Sequence, residues 1–288
     1  MTDKRIVFTS RKIPNNSFKM RGTQMVDAMQ QRGYNTEIVH PDQLDEVKNA
    51  VIIFVRRSIS GRKFRNLLKH NILIIDPLDR IGDLHKMDHL KRFHAIVFPS
   101  DTQRNEFATY TANNNQGAYF LHHHWDPRLV EYTHGHFELG YWGYTASAVN
   151  VRNFVPRVNR YTSTRSFSIP PADLFQRVSC HYNVRDRNHG QGWRPTTKIS
   201  TAAACGANII TSRDKMSLEL LPHNYPYFID GADYHETKRM IDYARATFGN
   251  DIWQYGLDCM ARVRKFTSVD YCAKLYGRII DDIIEKAK

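Results

Sequence analysis

The sequence predicts an α/β protein made of two doubly wound halves, and three observations carry that prediction. A chain of 288 residues exceeds the usual size of one domain, so two of roughly 130 to 150 residues each are expected. Short apolar runs alternate with segments whose apolar residues recur at helical spacing, the order of β-α-β units. The alternation stops in a stretch containing His, Pro and Gly, His122 to Gly135, and begins again at Phe137.

The first strand is Arg5–Thr9. A polar loop leads to a helix over Gly22–Arg32, with Met25, Val26 and Met29 at helical spacing and Gly33 as its stop; Thr36–Val39 is the second strand. Ala50–Val55, Asn71–Ile75 and Ala95–Phe98 are continuous apolar runs, as strands buried on both faces require. Helices over Gly61–His70 and Asp101–Tyr110 separate them, and Ala118–Leu121 ends the first half. The second half repeats the logic, with strands near Phe137–Tyr141, Val178–Tyr182 and Asn208–Thr211 and helices near Ala146–Val155, Thr197–Cys205 and Lys215–Leu221. From Tyr234 the pattern is helical. The last helix, Tyr271–Lys288, sets Leu275, Ile279, Ile280, Ile283 and Ile284 on one face and so needs a docking surface. The expectation is two facing Rossmann-like domains, residues 1–134 and 135–288, with the C-terminal helix packing back on the body.

A hydrophobic fraction of 41% is that of an ordered globule, while 41 basic against 29 acidic residues leave a formal charge of +12. Such a field attracts polyanions: nucleic acid, an anionic membrane surface and phosphate-bearing small molecules all suit it, as does a merely basic solvated surface. No stretch approaches the roughly 18 to 20 apolar residues of a membrane span, and MTDKRIVFTS carries neither a long apolar core nor a cleavage site. A soluble protein in the cytoplasm of a bacterial or phage-infected host cell is expected. The four cysteines show no C-x-x-C spacing and read as reduced core thiols.

The phosphate-loop, G-x-G-x-x-G and G-x-S-x-G signatures are absent. An open α/β sheet without them still binds ligands at the carboxyl ends of its strands. There the segment from Cys180 to Ser212 reads strand, loop, helix, Gly stop, strand. Arg185, Arg194 and Lys198 gather around the start of the helix that Pro195 and Thr196 open. Lys in a helix's first turn opposes the macrodipole, a cost that a bound phosphate would remove.

Thr201–Ile210, reading TAAACGANII, resembles the donor-site helix and strand of GT-B-fold nucleotide-sugar glycosyltransferases. The phrase Pro171-Ala-Asp-Leu-Phe175 and the turn Leu139-Gly-Tyr-Trp-Gly143 resemble the segments flanking that site, so the likeness spans about residues 136–230. It implies a GT-B-like arrangement with an acceptor-side first domain and a donor-binding second one. It also implies a hexosyl- or pentosyltransferase, metal-independent and using the nucleotide sugar as co-substrate with no other cofactor. Gly143, Tyr144, Arg185, Thr197 and Lys198 would hold the diphosphate, with Arg194 and Thr201 alongside. The family's E-x7-E motif is missing, Thr201 standing where its second Glu would be, and there is no D-x-D motif.

Asp76 and Asp79 follow a buried strand in IDPLDRIGD and are the expected catalytic bases; turn chemistry is the plain alternative. Arg11, Lys12, Lys19, Arg21, Arg56 and Arg57 are the expected acceptor-binding residues. With Arg62, Lys63 and Arg65 the last two form either a polyanion track or a solvated helix face, and a phage-type, DNA-modifying transferase would use the track. His122-His-His-Trp-Asp-Pro127 reads as a hinge rather than a metal site, since consecutive residues of an extended chain alternate faces. The competing classes are a non-catalytic nucleic-acid-binding protein with a degenerate transferase fold, and an epimerase.

Overall fold

The computed structural model describes residues 3–11, 16–83, 86, 88–143, 148–155, 157–159, 175–185 and 196–287. The chain forms two compact units, residues 1–124 with 269–288 and residues 125–268.

The first unit holds a six-stranded sheet in the order β2-β1-β3-β4-β5-β6, with every neighbouring pair parallel. Its strands are β1 (Ile6–Thr9), β2 (Thr36–Ile38), β3 (Val51–Val55), β4 (Ile72–Asp76), β5 (Ala95–Phe98) and β6 (Gly117–Phe120). The runs IVFT, VIIFV, ILIID and AIVF are buried at every position, which explains their continuous rather than alternating hydrophobicity. The expected first helix begins as a π-helical turn, Lys19–Gln24, before α1 (Met25–Gln30). The wide turn carries Arg21 into the interior. The expected helix over Asp101–Tyr110 is two pieces, Asp101–Glu106 and Ala108–Asn113, broken at Phe107, whose ψ of 9° leaves the helical region.

The last helix, α10 in a count that runs α2 (Gly61–His70), α3 and α4 (the two pieces just given), α5 (Val151–Phe154), α6 (Thr197–Ala204), α7 (Lys215–Leu220), α8 (Tyr234–Ala246) and α9 (Asp251–Phe266), spans Val269–Lys286. The reading that assigned it to a 135–288 domain is corrected: Cys272, Ala273, Tyr276, Ile280 and Ile283 are buried in the same core as Ile6, Phe8, Val51 and Ile74. Burial of each large apolar side chain contributes roughly 1.5–3 kcal/mol, enough to fix where the helix docks. Gly277 permits the approach, because a Cβ there would lie 2.3 Å from the Tyr34 hydroxyl. The boundary expected at 134 falls at 124, since residues 125–134 belong to the second unit: Trp125 N–H donates to the Thr267 carbonyl and Tyr132 N–H to that of Cys205.

The second unit holds a five-stranded parallel sheet, β11-β10-β9-β7-β8, from β7 (Leu139–Trp142), β8 (Arg157–Asn159), β9 (Cys180–Asn183), β10 (Asn208–Ser212) and β11 (Phe228–Ile229). Helix α6 packs on it through Ile199, Ala202 and Ala203. Gly206, at φ +68°, then stops the helix, as its place after the alanine run suggested.

Candidate functional site

In the second unit, β7 ends at Trp142, and Gly143 turns the chain at φ +137°, a conformation that side chains with a Cβ avoid. Helix α6 starts at Thr197 with no side-chain cap and no acidic residue in its first turn. Lys198 crosses from that turn to the end of β7. Its Nζ donates to the Trp142 carbonyl at 2.6 Å and stands 3.7 Å from the centroid of the Tyr141 ring. A Cβ on residue 143 would lie 2.9 Å from that nitrogen, so a side chain there would push the lysine aside, while the backbone at φ +137° itself calls for glycine. Gly143 and Lys198, expected together at the diphosphate, lie side by side. Arg185 follows β9, the neighbouring strand. Its amide donates to the Ser212 hydroxyl at 2.9 Å and its Nε to the Asn183 side-chain oxygen at 3.2 Å, while Asn183 donates to the Thr211 hydroxyl at 3.0 Å. Thr197 and Thr201 are half-buried one turn apart on α6. Tyr144 and Arg194 lie outside the described residues.

Sequence reasoning missed Tyr141, Asn183, Thr211 and Ser212 in this constellation. The residues were in view: CHYN and NIITS end in Asn183, Thr211 and Ser212 at the carboxyl ends of their strands, where open α/β sheets bind ligands.

In the first unit, Asp76 and Arg21 lose the roles expected of them. Arg21 Nε lies 2.8 Å from Asp76 Oδ2 with both side chains at 0% exposure, so neither can meet a ligand. The guanidinium also donates to the carbonyls of Leu121 at 2.7 Å and His122 at 2.9 Å, and the Tyr276 hydroxyl lies 3.5 Å from Asp76 Oδ2. Burial pushes the Asp76 carboxyl up, against the opposing pull of Arg21. The physical reason is the π-helical turn, which aims Arg21 at the strand end instead of at solvent. Asp79 stays at the surface and receives two bonds from Arg56, 2.9 Å from Nε and 3.1 Å from Nη2. Arg56 itself sits at φ +66°, uncommon for a residue with a Cβ and costing about 1–2 kcal/mol. That strain is offset by the paired bonds and by the Arg56 amide donating to the Asp76 carbonyl at 2.7 Å.

Arg11, Arg56 and Arg57 line one cavity of about 90 Å³ together with Ser58, Ser60, Ile75, Pro77, Arg80, His89 and Leu90. Arg80, Ser58 and His89 were not foreseen; they come from the loops after β3 and β4 and from a 3₁₀ turn, where no periodicity marks them. Lys19 is exposed on the π-helical turn, and Lys12 lies outside the described residues. His122, His123 and His124 are held neutral by burial, His122 and His123 with pKa lowered to about 4. Among the described residues no three His, Cys, Asp or Glu side chains converge as a metal set, and no helix is long and apolar enough to cross a membrane.

No family model and no curated protein matches the sequence. Solved structures do match. The sucrose-phosphate synthase of Thermosynechococcus elongatus superposes with a TM-score of 0.66 at 9% identity, covering 98% of this chain and all of its own. A glycosyltransferase from Rickettsia africae gives 0.64 at 9% identity, covering 98% and 99%. The Anabaena protein HepE, in complex with UDP-glucose, gives 0.62 at 9% identity, covering 96% and 99%. At such identities the likeness is one of fold. The chain therefore has the GT-B fold, shared with nucleotide-sugar glycosyltransferases over nearly its whole length.

Proposed function

We propose that the protein is a glycosyltransferase that takes its sugar from a nucleotide-sugar donor bound at the carboxyl ends of β7, β9 and β10. The observation that carries this reading is Lys198, a cation in the first turn of an uncapped helix, held over the Gly143 turn by a carbonyl and a ring face. A diphosphate placed there would be met by backbone amides, by the positive end of α6 and by an ammonium group. As the bond to the sugar breaks, negative charge grows on the leaving diphosphate, and fixed cations stabilise that state more than the ground state. Lys198 and Arg185 are the groups this reading assigns to that task, in the manner of a metal-independent transferase.

The structural neighbours in complex with UDP and UDP-glucose make a uridine-linked hexose the first donor to test. Of the two expected bases only Asp79 reaches solvent, and in this reading it serves to hold Arg56. The test is a melting-temperature panel of nucleoside diphosphates and their sugar conjugates, followed by assay of released nucleoside diphosphate with candidate acceptors. A ligand that binds only the native state raises its melting temperature. Stabilisation by one nucleotide family, lost in Lys198→Ala, is the expected result; stabilisation by DNA alone would replace the transferase with a nucleic-acid-binding protein.

A further inference from the structure

At the amino ends of β5 and β6, the opposite end of the first sheet from the arginines, lies a cavity of about 410 Å³. Its base is rigid because successive strand starts are bonded to one another: the His94 amide donates to the Leu73 carbonyl at 2.9 Å and the Gly117 amide to that of His94 at 2.8 Å. Ala112 at the end of α4 and Ile283 and Ala287 at the end of α10 supply apolar walls. Gly117 lets the Tyr119 ring lie back along its own strand, since a Cβ at residue 117 would stand 2.7 Å from the ring's Cε2.

Two polar groups of the lining are fixed and incomplete. The Leu73 amide donates to His94 Nδ1 at 3.0 Å, so the neutral ring carries its proton on Nε2, and that N–H has no partner among the described residues. Gln116, 8% exposed, donates through Nε2 to the carbonyls of Leu90 at 2.8 Å and Phe93 at 3.0 Å. Those two bonds fix the orientation of the amide and leave Oε1 buried, with no partner among the described residues. The charged group of the lining, by contrast, is paired: Lys286 Nζ lies 2.7 Å from Asp282 Oδ2, which also accepts from the Tyr119 hydroxyl.

These features define the ligand by what it must supply. The volume exceeds the roughly 300 Å³ at which pockets for whole small ligands begin, so a complete molecule fits rather than one group of a larger one. It must offer an acceptor to His94 Nε2–H and a donor to Gln116 Oε1, and it needs no charge, because Lys286 already has its carboxylate. A hydroxyl both donates and accepts, and neighbouring hydroxyls on a saturated ring present both functions beside apolar C–H faces. A phosphate dianion or a carboxylate has no hydrogen for Gln116 and would meet Asp282 nearby. We infer that this cavity binds an uncharged polyol of the size of a sugar, in the first unit and apart from the donor site. The inference uses none of the residues on which the transferase reading rests.

The test follows backbone amide shifts of the isotope-labelled full chain by NMR as glucose, maltose, uridine or glucose 6-phosphate is added, with UDP present in parallel samples. Glucose or maltose should produce saturable shifts at residues 94, 112–119 and 283–287, the same with and without UDP. Ala112→Trp, which fills the cavity from the exposed end of α4, should abolish these shifts and leave the unliganded melting temperature unchanged. His94→Asn, which keeps an acceptor for the Leu73 amide and removes the N–H, should weaken sugar binding about fivefold. The inference is overturned if neither sugar shifts those residues, if Ala112→Trp binds sugar like the parent, or if UDP abolishes the sugar shifts. It is equally overturned if uridine or glucose 6-phosphate binds there more tightly than glucose. Loss of the sugar shifts with UDP binding intact would leave the donor reading standing, and sugar shifts without any UDP binding would leave the polyol site standing.

Discussion

At the carboxyl ends of the first sheet, four arginines among the described residues line a cavity. At the ends of the second, a single lysine leans across to the neighbouring strand, donating to the Trp142 carbonyl and covering the Tyr141 ring. Both sheets are parallel and both put polar residues after apolar strands, but the cations are held differently. The first unit supports its charges with a buried ion pair beneath them, Arg21 with Asp76, and a surface pair beside them, Arg56 with Asp79. The second holds Lys198 by a carbonyl and a ring face, at 2.6 Å from the Trp142 oxygen and 3.7 Å from the Tyr141 centroid. The difference teaches that equal architecture does not fix equal chemistry, which lives in the loops that follow each strand.

The comparison breaks most severely at the buried pair. Asp76→Asn leaves the Arg21 guanidinium buried without a counter-charge and should cost about 3–5 kcal/mol, read as faster amide exchange in β1, β3 and β4 while β9 and β10 stay protected. Equal loosening of both sheets would show that the pair serves more than the first unit.

Acid should separate the units next. His122, His123 and His124 are buried as neutral rings, so between the ordinary imidazole value of 6.5 and about 4 the unfolded chain binds protons that the folded chain refuses. Stability is therefore full above pH 6.5 and is lost as pH falls through that window, by about 3 kcal/mol for the fully buried His123 at its lower end. In the second unit His181, lowered to about 3, and the half-buried His134 act in the same direction. Amide exchange followed from pH 7.5 to 4.5 should show the first unit opening earlier, and later opening of that unit would refute the comparison.

Gly277→Ala is expected to destabilise the docking of the last helix by about 1–3 kcal/mol, since its new Cβ would strike the Tyr34 ring. Denaturant midpoints of this variant and of Gly277→Ala with Tyr34→Ala check it, the second change restoring most of the loss. The smallest effect belongs to Asp79→Asn, whose partner Arg56 is partly exposed: less than about 1 kcal/mol of stability, read as a shift of the denaturant midpoint.

How much of this was legible in the sequence follows from what each feature needs. Runs such as VIIFV declare themselves because a strand buried on both faces has no polar position, and their order alone implies the parallel sheet. The amphipathic face of residues 269–286 declares that it must dock but not on which unit, because any apolar surface satisfies it. The Gly143 and Lys198 pair was legible through resemblance and through the misplaced charge of a first-turn lysine. Asp76 misled, since a carboxylate after a buried strand looks alike whether it faces a ligand or a buried arginine 55 positions earlier. The arginine cavity was half visible: Arg11, Arg56 and Arg57 stand at strand ends, whereas Arg80 and His89 reach it through loops without periodicity.

The most direct measurement is amide hydrogen exchange of the full chain with and without a nucleoside diphosphate. Binding at the second sheet predicts new protection over residues 139–143 and 196–204, absent in Lys198→Ala, with residues 6–11 and 51–57 unchanged. Protection confined to those first-unit segments, or none in either unit with any nucleoside diphosphate, would contradict the assignment of the donor to β7, β9 and β10.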